Sequence, residues 1–173
     1  MVREHDSGVL GDGISRQRQS ELVSAAAYGC VLLLAALATI GVSEIADGHG
    51  LEIVVGVGGA TWLAHLFAEL LGGHLRSTEP LHRHEVARAA IDGSPILVST
   101  ILPAVALALG RVGVLDDATA RYVAIGLGVA QLAAIGAYVS RTSDVRHAGR
   151  WAFAGITAAA GLAVVLLTVL LGH

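Results

Sequence analysis

The sequence predicts an all-α protein: a five-span transmembrane helix bundle with a short interfacial helix between spans two and three. Three observations predict it. Of 173 residues, 54% are hydrophobic and 14% charged, whereas a soluble domain carries about 25% charge. The apolar residues gather into five long, charge-poor runs, each near the roughly 20 residues a helix needs to cross the hydrocarbon. The connections between the runs alternate in arginine content. No run has the alternation of a membrane barrel strand. A helix pairs its backbone groups internally, as lipid demands.

Residues 1–20 form a polar segment, expected to be mobile at its start because it has little to bury. Residues 21–173 form the membrane domain. The stretch SRQRQSE can open a helix that leads into the first span. A cleaved signal peptide is the competing reading. The apolar run that follows is too long for a signal core, and no small-residue cleavage site follows it. The spans are residues 22–43, 53–75, 93–110, 122–140 and 151–172. Each is bounded by ionisable residues such as Glu21, Glu44, Glu52, Arg76, Asp92, Arg111, Arg121, Arg141 and Arg150. Four of the five are uncharged throughout; the second holds Glu69.

Three of the four connections are short. The link between spans two and three is longer, and Pro80 after Ser77, Thr78 and Glu79 marks a helix start there. Val86, Ala87, Ala90 and Ile91 then recur at helical spacing, with Arg83, Glu85, Arg88 and Asp92 supplying polarity. The pattern predicts a helix over residues 80–91 lying along the membrane surface. Asp116 and Asp117 read as a turn or the start of the fourth helix, where negative charge suits the N-terminus. Tyr138 and Trp151 read as anchors at the inner interface.

Orientation follows from arginine placement. Arg3, Arg16 and Arg18, then Arg76, Arg83 and Arg88, then Arg141, Arg146 and Arg150 lie on one side; Arg111 and Arg121 lie on the other. Nine against two predicts a plasma (inner) membrane protein with its N-terminus cytoplasmic and its C-terminus outside. No inverted repeat is visible. All basic residues are arginine and they are scattered, so nucleic acid is excluded as a partner. The partners expected are the lipid bilayer and either a homo-oligomer or a larger membrane complex. Small-residue pairs four apart, Gly56 and Ala60, Gly126 and Ala130, Gly155 and Ala159, are expected to let helices approach closely. The lone Cys30 forms no internal disulfide.

The stretch GGATWLAHLFAELLGGHLR, residues 58–76, is the most informative one. It reads as a span, yet places His65 and Glu69 one turn apart on one face. Thr61, Gly58, Gly72 and Arg76 continue that face. Taking Trp62 as the span centre, His65 lies about 5 Å from mid-membrane and Glu69 about 10 Å. Ionisable groups at such depth face a protein interior or a watery cavity. Tyr28, Ser99, Thr100, Gln131 and Thr157 fall at similar depth on the other spans. The expectation is that these seven side chains converge on one polar cluster. Pro103 is expected to kink the third span and free the Ser99 carbonyl as one more acceptor.

A carboxylate beside an imidazole can pass a proton, so one reading is a small proton- or ion-handling carrier or channel-like protein. The other is a non-catalytic scaffold or accessory subunit in which the polar cluster only fixes helix packing. A metal needs more than two protein ligands, and no HExxH or CxxC pattern supplies them. No catalytic residue and no cofactor is expected: the phosphate-loop, GxSxG and dinucleotide signatures are missing. His74, His82, His84 and His147 read as solvated loop histidines, with His82 and His84 pointing apart on a helix. Glu44, Asp47, His49 and Glu52 make an ordinary acidic outer loop.

Overall fold

Helices account for nearly all of the described residues, which are 4–76, 82–142 and 147–171 of a computed structural model. No strand occurs among them. The helices are α1 (Glu4–Thr39), α2 (Val42–Ala46), α3 (His49–Arg76), α4 (Arg83–Asp92), α5 (Ser94–Arg111), α6 (Asp117–Thr142) and α7 (His147–Leu171). Four segments are long and apolar enough to cross a membrane: Arg18–Thr39, His49–Gly73, Arg83–Arg111 and Asp117–Arg141. The described side chains of α7 form a shorter apolar helix, Gly155–Leu171.

The helices run past the apolar limits read from the sequence. The first begins at Glu4, well before SRQRQSE. Arginine, glutamine and glutamate in SRQRQSE are good helix formers, whereas the stretch EHDSGVLGDG before it, with three glycines, is helical without help from propensity. The one-turn α2 fills the loop after α1. Its start is fixed by the Glu44 carboxylate, which accepts from the Gly41 N–H at 2.6 Å. The interhelical helix begins at Arg83, where His82 has extended backbone and its N–H donates to Glu85 Oε2 at 2.9 Å. The Ser77–Pro80 start lies outside the described residues, as do the side chains of His74, Arg76, His147, Arg150 and Trp151. Pro103 is buried, and α5 remains one helix through it.

At the centre stands α1. It packs against α3, α5, α6 and α7. By contrast α3, which carries His65 and Glu69, packs on α1 and α5 and is the least covered of the four apolar spans, with 17% of its apolar stretch buried. A side-by-side order follows, with α3 at one flank, α7 at the other, and α1, α5 and α6 between. The main apolar core joins Leu33 and Leu37 of α1, Val54 of α3, Leu107 of α5 and Ala124 of α6. A smaller one joins Cys30, Leu34 and Leu132, with Val165 of α7 packed on it.

Close approach uses other glycines than those singled out by spacing. A side chain at Gly58 would meet Thr100 Cγ2 at 2.6 Å, and one at Gly128 would meet Leu34 Cδ2 at 2.7 Å. Gly29 sits against Ile96 and Ser99, and Gly136 against Thr157. Gly56, Gly126 and Gly155 meet no described atom within 4 Å. Spacing identifies a stripe on a helix, but which stripe meets a neighbour is decided by the whole bundle.

Candidate functional site: a polar cleft at one end of the bundle

Two ends of the bundle are marked by polar contacts. At one, Arg111 of α5 reaches the Asp47 carbonyl at 3.5 Å, and Arg121 of α6 donates to the Ala38 carbonyl near the end of α1 at 3.2 Å. Cations there complement the negative ends of helix dipoles. At the other, Arg18 of α1 grips Asp92 through Nε and Nη2, at 3.1 and 2.6 Å from the same Oδ1. One residue on, Gln19 donates to the Tyr138 hydroxyl of α6. The indole N–H of Trp62 donates to the Ala90 carbonyl at 3.1 Å.

Asp92 is the polar residue whose setting the sequence concealed. Assigned to the polar face of a surface helix, it is instead buried, at the junction of α4 and α5. Its partner lies 74 positions away in the chain, and no local pattern encodes such a pairing. The junction fits against α3 because Gly93 lacks a side chain. A Cβ there would stand 3.1 Å from His65 Cδ2 and 3.2 Å from Trp62 Cδ1.

Between these elements lies an open cleft of about 330 Å³, lined by Ser20, Glu21 and Ser24 of α1, His65, Ala68 and Glu69 of α3, and Asp92. His65 Nε2 stands 4.0 Å from Glu69 Oε2, and each side chain is about one third exposed, at 32% and 34%. The i,i+4 pair read from the sequence therefore exists, and it opens into a cleft.

The seven-residue cluster divides. His65 and Glu69 line the cleft. The Ser99 hydroxyl donates to the Ile96 carbonyl at 2.6 Å, and Cys30 Sγ is 4.0 Å from Gln131 Oε1. That contact joins α1 and α6 through a fully buried cysteine. Thr100 faces Gly58, and its hydroxyl donates to the Leu97 carbonyl at 2.7 Å. Thr157 faces Gly136. Tyr28 is 55% exposed on the central helix. Gln131 and Thr157 stand on α6 and α7, which do not pack on α3 as a helix pair among the described residues.

Helix α5 begins beside Trp62 and His65 and ends beside Asp47. Its 18 residues are about 27 Å long at about 1.5 Å per residue, close to a full hydrocarbon thickness of about 30 Å. Trp62 and His65 thus stand level with the start of α5, within the longer apolar segment Arg83–Arg111. Glu21, Asp92 and Tyr138 lie at that same end.

The histidine pair is also corrected. The His82 and His84 rings lie 5.4 Å apart, because His82 precedes the helix in extended backbone and does not follow the helical wheel. Among the described residues no group of three His, Cys, Asp or Glu side chains is placed to hold a metal ion. No protein-family model matches this chain, and neither a curated protein nor a solved structure is found to be similar to it.

Proposed function

We propose that this chain is a multi-pass integral membrane protein that handles a proton or small cation at its cytoplasmic end, with His65 and Glu69 as the exchanging pair. The observation that carries the reading is the cleft itself: it gives water a route to an imidazole and a carboxylate 4.0 Å apart, facing Glu21 and Asp92. Histidine changes charge in the physiological range, and the carboxylate beside it can receive or return the proton. Nine of the eleven arginines on the predicted cytoplasmic side support the orientation. The main apolar core lies between the cleft and the opposite end, so exchange takes place with the cytoplasmic side in this conformation.

The test is reconstitution in liposomes with an enclosed pH dye, comparing the parent with Glu69→Gln. The parent is expected to dissipate an imposed pH gradient faster than empty vesicles, and Glu69→Gln to fall to the empty-vesicle rate. Equal rates in parent, variant and empty vesicles would remove the reading.

A specific observation favours the second reading, a scaffold or accessory subunit. Arg18–Asp92, Gln19–Tyr138 and Trp62–Ala90 tie four helices together at the level of the cleft. If the His65–Glu69 pair belongs to that set of ties, Glu69→Gln lowers the thermal midpoint in detergent while neither protein moves protons.

A further inference from the structure

Helix α4 is covered on one side only. Ala89 and Asp92 are buried, and the Trp62 indole of α3 donates to the Ala90 carbonyl at 3.1 Å. Residues 82–88 are all exposed, and so is Ile91, at 63%. The two carboxylates of the helix are engaged within the protein. Asp92 holds Arg18, and Glu85 Oε2 accepts the His82 N–H at 2.9 Å. Its two arginines, Arg83 and Arg88, have neither a hydrogen bond nor an ion pair among the described residues. Spacing puts Arg88 one turn before Ile91 and Arg83 two turns before it. Glu85 falls about 120° round the helix from Ile91, at about 3.6 residues per turn. The open face of α4 is therefore cationic, with an apolar residue at its α5 end.

An exposed apolar stripe continues from Ile91 into α5. Gly93, between the two helices, has φ −79° and ψ −10°, so the chain keeps its right-handed turn. Val98 and Leu102, seven and eleven residues after Ile91, return to its face, and both are exposed. From Ile91 to Leu102 is about 16 Å at about 1.5 Å per residue, close to half of a hydrocarbon core about 30 Å thick. The charges set the level of this stripe. The segment Arg83–Arg111 has 29 residues, about 43 Å of helix, and all its charges before Arg111 are on α4. With α5 crossing the hydrocarbon, α4 stands among the headgroups. A guanidinium there pairs with a phosphate through two parallel hydrogen bonds. A zwitterionic head would bring its own ammonium up to two arginines, whereas a net anionic head complements them.

We propose that this face of α4 and α5 holds an anionic phospholipid of the adjoining leaflet. The phosphate lies at Arg88, with Arg83 and His84 about one turn further out, and one acyl chain runs over Ile91, Val98 and Leu102. The proposal rests on the membrane reading but not on proton exchange, since none of these residues lines the cleft.

The test is native mass spectrometry of the full chain with equal amounts of phosphatidylglycerol and phosphatidylcholine. The parent is expected to retain phosphatidylglycerol about tenfold better than phosphatidylcholine. The double variant Arg83→Gln, Arg88→Gln is expected to lose that preference, and Arg141→Gln, which changes an exposed arginine of α6, to keep it. Both α4 arginines are exposed, and a thermal midpoint equal to the parent's verifies that the double variant is folded. Ile91→Ser is expected to lower retention of phosphatidylglycerol severalfold. Release of the parent from its membranes by a carbonate wash would remove the membrane reading itself. With the protein held in the membrane, three outcomes would overturn the proposal: equal retention of the two lipids by the parent, undiminished preference in the folded double variant, or a lipid-free dimer that the double variant dissociates. Unchanged retention in Ile91→Ser would overturn the placement of the chain.

Discussion

Gly56 and Gly58 are two residues apart on α3 and should respond in opposite ways to the same change. Gly58→Ala drives a methyl group into Thr100, 2.6 Å from its Cγ2. Thr100 is buried and hydrogen-bonded at 2.7 Å to the Leu97 carbonyl, so relief requires moving α3 from α5, at about 1–3 kcal/mol. Gly56→Ala meets open space and removes the helix penalty of glycine, about 0.5–1 kcal/mol. Thermal melts in one detergent should show a clear drop for the first variant and no loss for the second. The reverse order would mean that the Gly56–Ala60 spacing marks the true contact. Gly48 is constrained twice. Its φ is +85°, and the Arg111 guanidinium fills the space where a side chain would stand. At this scale the sequence shows local pairs and conceals distant ones. His65–Glu69 is legible because four residues on a helix make one turn. Arg18–Asp92 is not, since 74 residues separate its partners. Cys30, silent in the sequence, turns out to meet Gln131, 101 positions away.

Helices were legible as apolar runs, but their ends were not, because polar residues with good helical propensity prolong them. One start was legible. Asp116 accepts from the Thr119 N–H at 3.0 Å just before α6 begins, as an N-cap should. The Thr119 hydroxyl and backbone N–H hold its carboxyl below the ordinary value. A depressed folded-state pKa means that the unfolded chain takes up the proton first as pH falls. The contribution of the charge is therefore complete above the unfolded value of about 3.9 and fades as pH drops through the lower folded one. Asp116→Asn keeps a capping oxygen without the charge. Melts from pH 7 down to pH 3 should show the parent ahead at neutral pH and the gap closing below about pH 4; a gap independent of pH would remove the charge effect. The tie between α1 and the α4–α5 junction is tested in the same way. Arg18→Asp and Asp92→Arg should each lower the midpoint, because either places two like charges together, and the double exchange should recover part of the loss. Since the arginine is 55% exposed, solvent screening keeps the recoverable part modest. No recovery would mean that Asp92 matters only through its burial.

Across the whole molecule, arginine asymmetry and polar depth describe one arrangement. The two arginines on the sparse side, Arg111 and Arg121, reach backbone carbonyls near the ends of α2 and α1, so they serve packing. The opposite end carries Arg18, Glu21, Asp92 and Tyr138 together with the cleft. A boundary drawn through them puts His65 where water is near, and there a titratable pair costs far less than at mid-membrane. Counting inward along α3 from its apolar limits puts Trp62 at mid-membrane instead. Helix α3 continues beyond His65 to Arg76, past the level at which α5 begins. Trp62 reports the difference directly. The chain has two tryptophans, Trp62 and Trp151, so Trp151→Phe leaves a single fluorophore on α3. In liposomes containing lipids spin-labelled either close to the headgroup or near the acyl end, a tryptophan at the boundary is quenched more by the shallow label, and one at mid-membrane more by the deep label. Its N–H bond to the Ala90 carbonyl holds the indole in place, so the two cases are well separated. Stronger quenching by the shallow label is expected. Stronger quenching by the deep label would return His65 and Glu69 to the bilayer interior, and with them the full cost of burying charge there.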